Sequence, residues 1–273
     1  MIGVGGNRVE LFDPGAVDRA EEERVAAWVA RIREALEADR FHMHYQPLIS
    51  LRGDPGQIYE AYLRLYGEHG ELVQPLTFLQ IAEEHGLLWE IDRWVVGRAI
   101  AVIGERLKAG HRTTLLVKIT PASLQDDSLY RYIQDQLAKH GADGSLLVVQ
   151  LPESKVFTNL RQAQEFQGRV AELGVRIGLE QFGAGLNSFQ LLSHFDASFL
   201  KIDRSFLKDL STNAEHQARI REIAERASAL GKQTIADQVQ DASSMSMLFG
   251  AGIDYAQGYF LAMAGPEMDY DFQ

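Results

Sequence analysis

Two residues of opposite charge, Glu60 and Arg64, stand four positions apart in the apolar run 59–65. The run has the length of a strand, and residues four apart on a strand lie on the same face. A guanidinium group on that face suits a phosphate, which it can hold through two hydrogen bonds. The alternative is an ion pair across a half-exposed strand, and this run alone favours that alternative.

Further polar residues occur where apolar strands are predicted to end. One such residue carries little information, but a set in corresponding positions is hard to explain by loop composition. The carboxyl ends of parallel strands meet at one end of a barrel, where the chemistry of such folds takes place. The set consists of Lys118, Gln150, Glu180, Gln181, Lys201, Asp237 and Gln257.

Strand and helix patterns alternate along the chain after an opening pair of strands. A turn at residues 53–56 joins this pair, and so short a connection predicts antiparallel strands. Each later strand follows a helix, which predicts parallel strands joined by right-handed crossovers. The predicted strands are 41–51, 57–65, 113–119, 146–151, 175–179, 198–202, 233–236 and 253–256.

Eight strands of this kind close naturally into a barrel. We therefore predict an α/β fold: a modified (β/α)8 TIM-like barrel with an antiparallel first strand, preceded by an N-terminal helix. The predicted domain division is residues 1–38 for a tail and lead-in helix and residues 39–273 for the barrel. The lead-in helix has an apolar stripe formed by Val25, Trp28, Val29, Ile32 and Leu36.

The composition is that of a water-soluble globular protein, with 46% apolar and 24% charged residues among 273. A net charge of −11 argues against a protein that follows DNA or RNA, although a locally basic pocket could still take an anionic ligand. The absence of cysteine excludes disulfides and thiolate-bound metals. No signal peptide and no apolar run of membrane-spanning length occur, so we expect a cytoplasmic protein without membrane insertion.

Several short motifs, in their order along residues 41–266, resemble those of EAL domains, the phosphodiesterases and receptors of cyclic di-GMP. None is specific alone, but together they are. The lead-in pattern Trp28-Val29-x-Arg31-Ile32 and the departures described next are most similar to the FimX type, a degenerate EAL domain of type IV pilus regulation. The motifs are Gln46-Pro47-Leu48, Glu60-Ala61-Tyr62-Leu63-Arg64, Phe182-Gly183-Ala184-Gly185, Leu200-Lys201-Ile202-Asp203-Arg204-Ser205-Phe206, Thr234-Ile235-Ala236-Asp237 and Asp254-Tyr255-Ala256-Gln257-Gly258-Tyr259.

The departures fall where active members of the family hold two divalent cations through acidic and amide oxygens. An ammonium group repels such a cation, and neutral amides remove charge that the site needs. The resemblance therefore implies a degenerate domain that is not an enzyme, with no metal and no cofactor. The family's metal glutamate is retained as Glu60, while Lys118 stands for asparagine, Gln150 for glutamate, Glu180 and Gln181 for paired aspartates, Asp237 for glutamate and Gln240 for an acid.

The resemblance also assigns a binding site for cyclic di-GMP. Arg64 would hold a phosphate, Asp92 would accept the N1 and N2 protons of a guanine, and Lys118 with Lys201 would make the pocket basic. The remaining residues assigned to the ligand are Gln46, Tyr62 and Leu63 as the floor, Gln257 and Gly258 at a close approach, Asp237 at a base or ribose, Pro266 at the rim, and Glu60.

Three of these assignments have a structural alternative. Arg64 would pair only with Glu60, Asp92 would be an ordinary aspartate on a helix surface, and Lys118 would pair with Glu60 or Glu180. His42 and His44 share one face of the first strand and suggest a metal site, but plain strand histidines are the favoured interpretation.

Three functional hypotheses follow. The first is a catalytically inactive receptor of cyclic di-GMP that signals to a protein partner. For the FimX type this implies a PilZ-domain protein, a role in pilus assembly and twitching motility, and a position at the cell pole through the pilus machinery. The second is a phosphodiesterase with an altered metal site, supported by Glu60, Lys201 and Asp237. The third is an interaction scaffold that no longer binds nucleotide.

Overall fold

A computed structural model of the chain describes residues 14–67, 69–125 and 127–272. The predicted tail, residues 1–12, lies outside these ranges. The strands are β1 (His42–Pro47), β2 (Ile49–Ser50), β3 (Gln57–Tyr66), β4 (Leu72–Val73), β5 (Thr113–Lys118), β6 (Leu147–Pro152), β7 (Arg176–Phe182), β8 (Phe199–Ile202), β9 (Gln233–Ala236) and β10 (Tyr255–Ala256). The helices are α1 (Pro14–Glu37), α2 (Pro75–Glu84), α3 (Leu88–Lys108), α4 (Ser128–His140), α5 (Glu153–Thr158), α6 (Leu160–Glu172), α7 (Ser188–Leu191), α8 (Ala214–Ala229) and α9 (Ala242–Ala251).

The strands form one sheet in the order β1-β3-β5-β6-β7-β8-β9-β10-β2, with β4 beside β3. β1 is antiparallel to β3, the strands from β3 to β10 are parallel, and β2 is antiparallel to β10. Only Leu48 separates β1 from β2, so one bent strand touches both edges of the sheet and nearly closes it into a barrel. The predicted barrel with a reversed first strand is confirmed.

Local sequence explains why the first pair of strands is a hairpin. Gly53 has φ 78°, a conformation that glycine adopts without strain. The side chain of Asp54 accepts a hydrogen bond from the Gly56 amide, and the Ser50 hydroxyl accepts bonds from the amides of Arg52 and Asp54. These contacts satisfy the backbone of the turn and fix the register of β3 against β1.

The buried residues form two apolar clusters on opposite sides of the sheet. The larger lies between the strands and the surrounding helices, and it includes Ile32 of α1. The smaller fills the inside of the barrel and consists of Leu48, Ile58, Leu116, Val148, Phe199, Ile235 and Tyr255. Because side chains two apart on a strand share a face, the residues two positions further along five parallel strands and β3 also point inward. These are Glu60, Lys118, Gln150, Lys201, Asp237 and Gln257.

No helix among the described residues is both long and apolar enough to cross a membrane. The longest, α1, lies against α2 and α3 through its predicted apolar stripe, which includes the fully buried Ile32. This contact joins the lead-in helix to the side of the barrel beside β1 and β3.

Candidate functional site

A buried group of carboxylates and ammonium ions occupies the carboxyl-terminal end of the barrel. The Glu60 side chain is fully buried, and its Oε2 lies 2.5 Å from Nζ of Lys201, itself only 5% exposed. The same Nζ is 3.2 Å from Oδ2 of Asp237. These contacts bring together residues from β3, from β8 and from the end of β9, which are distant in sequence.

Lys118 completes this charge cluster from the end of β5. Its Nζ lies 2.8 Å from Oε1 of Glu180 and 3.6 Å from Oε1 of Glu60. The structure therefore shows the ion pairs that were the alternative for this residue. The Lys118 side chain is nevertheless 47% exposed, so its ammonium group faces both the cluster and the solvent at the end of the barrel.

Glu60, Lys118 and Lys201 are ionised at neutral pH. Burial acts to raise the pKa of Glu60, but the charges of Lys201 and Lys118 outweigh it and lower that pKa to about 2. Burial likewise acts to lower the pKa of each lysine, and the neighbouring carboxylates, Glu60 first, raise both above the usual value. The negative charges thus hold both ammonium groups in place.

Amide and phenol groups surround Glu60 on the side of β1 and β10. The Tyr62 hydroxyl donates to Oε2 of Glu60 at 2.8 Å. Nε2 of Gln257 is 2.7 Å from the same oxygen and 2.7 Å from the Tyr62 hydroxyl. Gln46 accepts from Tyr62 at 3.2 Å and donates to the carbonyl oxygen of Ala262 at 2.9 Å. Burial, and then the Glu60 charge, raise the pKa of Tyr62, so the phenol stays protonated.

Several buried polar atoms of this region have no hydrogen-bond partner among the described protein atoms. Gln150 is fully buried with both side-chain polar atoms unpaired, and it packs over Gly178, where an added Cβ would lie 3.1 Å from its Cγ. Oε1 of Glu60 and Oε1 of Gln257 are also unpaired. Unpaired buried groups of this kind are costly, and a polar ligand or water that binds them offsets the cost.

Arg64 does not pair with Glu60. Its Nη1 donates to the carbonyl oxygen of Leu63 at 3.0 Å, its guanidinium lies 5.3 Å from the centre of the Tyr62 ring, and its buried Nε has no partner. The predicted common face is correct, but the alternative of a Glu60–Arg64 ion pair is wrong because Lys201 already neutralises the carboxylate. Arg64 keeps donors for another anion.

Two residues assigned to the ligand, Leu63 at the floor and Gly258 at a close approach, have other neighbours in the structure. Leu63 points away from Tyr62, since neighbours on a strand face opposite ways, and it packs against the outer core. At Gly258 the close approach is made by the protein itself: an added Cβ would lie 2.4 Å from the backbone nitrogen and oxygen of Val239. Leu63 therefore faces away from the floor and Gly258 contacts Val239, and the ligand contacts assigned to these two residues stay predictions.

Asp92 does not lie on the helix surface, so the structural alternative for this residue is wrong. It is 3% exposed, and its Oδ2 accepts hydrogen bonds from the amide and hydroxyl of Thr120 and from the hydroxyl of Ser123. Burial raises its pKa to about 6 although these hydrogen bonds act in the opposite direction. Asp92 thereby fastens the first turn of α3 to the segment that follows Lys118.

Two further predicted residues lie at the edges. Gln181 is exposed, has φ 55° and sits at an irregularity in the pairing of β7 with β8, so it does not join the cluster. Pro266 is exposed beside β1, next to Gly265, which pairs with Tyr45. A cavity of about 780 Å³, lined by residues after β8 and β9, opens beside Asp237.

Sequence reasoning missed Glu153. This residue is 6% exposed, accepts from the Gly183 amide at 2.8 Å and from the Ser188 hydroxyl at 2.5 Å, and so holds the loop after β7. Its signal was available, because Glu153 directly follows the last residue of β6, which is a strand-end position like the others.

The residues present do not fit a pair of divalent cations. The carboxylates of Glu60, Glu180 and Asp237 are all bound to lysine ammonium groups, and the position beside Glu60 on β5 carries Lys118. Within the described ranges, no group of three or more His, Asp or Glu side chains is placed to hold a metal ion. Mg²⁺ requires several free oxygen ligands in near-octahedral order, which this cluster does not offer.

The fold is an α/β barrel with one reversed strand and with polar residues at its strand ends. Comparison with known families shows which family of barrels it belongs to. Residues 29–264 match the EAL domain family, and the chain belongs to that family. It is similar to the FimX EAL domain of Xanthomonas citri, solved in complex with c-diGMP, at 51% identity and a TM-score of 0.89 over 93% of this chain and 100% of the other. The FimX EAL domain of Pseudomonas aeruginosa bound to c-di-GMP is 36% identical, with a TM-score of 0.85 over 90% and 99% of the two chains.

Curated relatives are longer proteins. The signaling protein YkoW of Bacillus subtilis is 32% identical over 240 residues, which are 88% of this chain and 30% of YkoW. The cyclic di-GMP phosphodiesterase PdeF of Escherichia coli is 30% identical over 243 residues, which are 89% of this chain and 32% of PdeF. The chain thus spans about a third of the length of these relatives.

Proposed function

We propose that this chain is a receptor domain that binds cyclic di-GMP at the carboxyl-terminal end of the barrel and does not hydrolyse it. The observation that carries the proposal is the charge cluster, in which Lys118 and Lys201 hold the carboxylates that a metal would need. The similarity to two FimX EAL domains solved with this ligand supports the choice of ligand.

The geometry of single residues supports the roles that we assign to them. Arg64 has unused donors for a phosphate, and the half-exposed Lys118 adds a second positive charge at the same end of the barrel. Asp237 borders the cavity that can take the rest of the nucleotide. The volume of this cavity is typical of small-molecule sites. Glu60 and Lys201 are buried beneath the ligand site and position the residues that line it. Pro266 borders the rim of the site. The contact of Asp92 with a guanine stays a prediction. Gln46, Tyr62 and Gln257 line the floor.

Calorimetric titration with cyclic di-GMP, in the presence and absence of a chelator, tests the proposal. We expect one binding transition that is unchanged by the chelator, because protein cations supply the charge that metals would otherwise supply. Binding that disappears with the chelator contradicts the metal-independent receptor. Absence of binding under both conditions favours the scaffold hypothesis.

Hydrolysis with an altered metal site is the second candidate, favoured by the similarity to PdeF. Chromatography after long incubation with Mg²⁺ or Mn²⁺ separates it from the receptor. We expect no linear dinucleotide, since Gln150, Gln181 and Lys118 replace oxygen ligands that the family's mechanism uses. Product that increases with protein concentration and vanishes with chelator establishes the enzyme instead.

The proposal also covers the protein partner, the cellular process and the division into domains. The FimX resemblance supports a PilZ-domain partner, a role in type IV pilus regulation and a cytoplasmic place near the cell pole, with residues 39–273 as the receptor domain and 1–38 leading into it. Titration of a purified PilZ-domain protein with and without cyclic di-GMP tests the partner. Equal affinity in both conditions means that the nucleotide does not control this contact.

A further inference from the structure

A histidine pair on β1 lies beside Arg64 at the open end of the barrel. In the register of β1 against β3, His44 stands opposite Tyr62 and His42 stands opposite Arg64. His44 and His42 are two and four residues before Gln46, so both share its inward face. His42 is exposed, whereas His44 is partly buried.

The His44 ring is held by a specific contact. Its Nε2 lies 2.7 Å from the hydroxyl of Tyr66, the last residue of β3. The centre of the Tyr66 ring is 5.1 Å from that of His42 and 6.1 Å from that of His44. The charge cluster does not use this His–Tyr pair, which the sequence pattern did not predict.

The groups around His44 are cations, aromatic side chains and one carboxylate. Its own strand contributes His42, and β3 contributes Tyr62, Arg64 and Tyr66. The adjoining cavity, of about 360 Å³, is also lined by Asp39, Trp94, Arg98 and Pro266. Burial, then the charge of Arg64 and then that of His42, lower the pKa of His44, so the ring is neutral at neutral pH while Arg64 has no anion.

We propose that an anionic ligand bound at Arg64 is accompanied by the uptake of one proton from solvent on His44. The inference rests on the proposed function, because the anion is a phosphate of the cyclic dinucleotide. The added negative charge cancels the field of Arg64 at cross-strand distance, within which charges in a protein interact strongly. The doubly protonated ring donates from Nε2 to the Tyr66 hydroxyl oxygen, and no bond within the ligand changes.

The sign of this linkage distinguishes His44 from Asp92, whose pKa is raised to about 6 by burial. Uptake on His44 makes binding tighter as the pH falls. If Asp92 accepts guanine protons, it must be a carboxylate, and binding would weaken as the pH falls. The phosphodiester and guanine groups of the ligand ionise far outside the interval from pH 5.5 to 8, so they add no slope.

Calorimetric titration with cyclic di-GMP at several pH values between 5.5 and 8 tests the proposal. At each pH, two buffers of different ionisation enthalpy give the number of protons taken up. For the unaltered protein we expect proton uptake that peaks at about half a proton, the maximum for a one-unit shift, and a dissociation constant that falls about threefold to tenfold from pH 8 to pH 5.5. The His44→Gln variant should lose both effects. The matched control, His42→Gln, removes the neighbouring exposed imidazole and should keep the slope.

A measurement on the unaltered protein guards against a variant that fails to fold. Imidazole resonances followed by NMR should show His44 titrating at a higher pH with cyclic di-GMP than without it, by about one unit. The inference is wrong if binding occurs with no proton uptake, if uptake persists in His44→Gln, or if only His42→Gln abolishes it. Absence of binding at every pH overturns the proposed function itself, which distinguishes the two failures.

Discussion

At the scale of single residues, the proposed function gives the ammonium group of Lys118 the place of a metal ion. It pairs with Glu180 and approaches Glu60, yet it remains half-exposed toward the expected phosphate. Lys118→Asn should weaken binding of cyclic di-GMP in chelator by about tenfold, the size of one charge-assisted contact. Added Mg²⁺ should restore little, because Gln150 offers an amide and not a carboxylate.

Calorimetry in EDTA and then in Mg²⁺ measures this effect. Lys139→Asn, on the exposed surface of α4, removes the same charge at a distance and serves as the control. If Lys118→Asn binds as tightly as the unaltered protein in EDTA, Lys118 serves only its ion pairs.

Arg64 carries the second prediction at this scale. Its guanidinium rests on the Tyr62 ring with an unpaired Nε, so an incoming phosphate meets donors that need no new desolvation. Arg64→Ala should raise the dissociation constant at least tenfold, since a hydrogen bond to a charged group contributes roughly 1.5–3 kcal/mol. Arg33→Ala, exposed on α1, is the matched control. Equal affinity of both variants would remove Arg64 from the binding site.

The same residues show what sequence could and could not predict. Alternation along β3 correctly placed Glu60 and Arg64 on one face, and the same rule turns Leu63 to the other face. The actual partner of Glu60, Lys201, is 141 residues away, a distance over which local pattern carries no information about contacts. Helix periodicity allowed Asp92 to lie on the helix surface, because it does not reveal that the segment after β5 folds over this residue.

At the scale of elements, Asp92 joins α3 to the segment after β5. Burial raises its pKa from 3.8 to about 6, so the folded protein keeps a proton that the unfolded chain has released. This contribution to the free energy of unfolding is complete below about pH 4 and is lost as the pH rises through about 6. Asp92→Asn lacks it, and its stability relative to the unaltered protein should rise by about 2–3 kcal/mol between pH 4 and pH 7.

Denaturant unfolding of both proteins at matched pH values measures that difference, and the matching cancels the titration of all other groups. A difference that stays constant across the interval would mean that Asp92 is ionised throughout. Asp92→Ala serves as a comparison, because it also leaves the Thr120 and Ser123 donors without their acceptor and should be less stable than Asp92→Asn at pH 7.

Gly258 joins two other elements, the ends of β9 and β10. A Cβ at this position would lie 2.4 Å from backbone atoms of Val239, and the residue has φ 154°, so Gly258→Ala should lower the melting temperature markedly and weaken nucleotide binding through Gln257. Gly168→Ala is the control: it lies within α6 with no atom near its Cβ, and should stabilise the protein by about 0.5–1 kcal/mol. Equal melting temperatures would mean that the Val239 segment moves aside freely.

Most elements were predictable because they are long and strongly patterned. The predicted strand 57–65 corresponds to Gln57–Tyr66, and the alternation of strands and helices determined the barrel. The helix α5 and the two-residue strand β4 were not predicted, because a turn or two of helix and a pair of ladder residues give no measurable periodicity. α5 begins with Glu153, so the omission also concealed the residue that holds the loop after β7.

At the scale of the whole molecule, ligand binding should stabilise the fold without a metal. The site gathers side chains from β1, β3, β5, β9 and β10, so a bound nucleotide links strands that are far apart in sequence and must dissociate before the barrel unfolds. At a ligand concentration one hundred times the dissociation constant, mass action adds about 2.7 kcal/mol to the free energy of unfolding. For a chain of this size, that corresponds to a rise in melting temperature of roughly 5–10 °C.

Thermal unfolding with cyclic di-GMP in EDTA, and again in Mg²⁺, measures this stabilisation. We expect the same rise in both, because Lys118 and Lys201 are part of the folded chain at any metal concentration. Linear dinucleotide at an equal concentration is the control for nonspecific anion binding and should give a smaller rise, since its open chain must lose more conformational freedom on binding. A rise seen only in Mg²⁺ would show that the ligand arrives with a cation, and that the two lysines do not replace it.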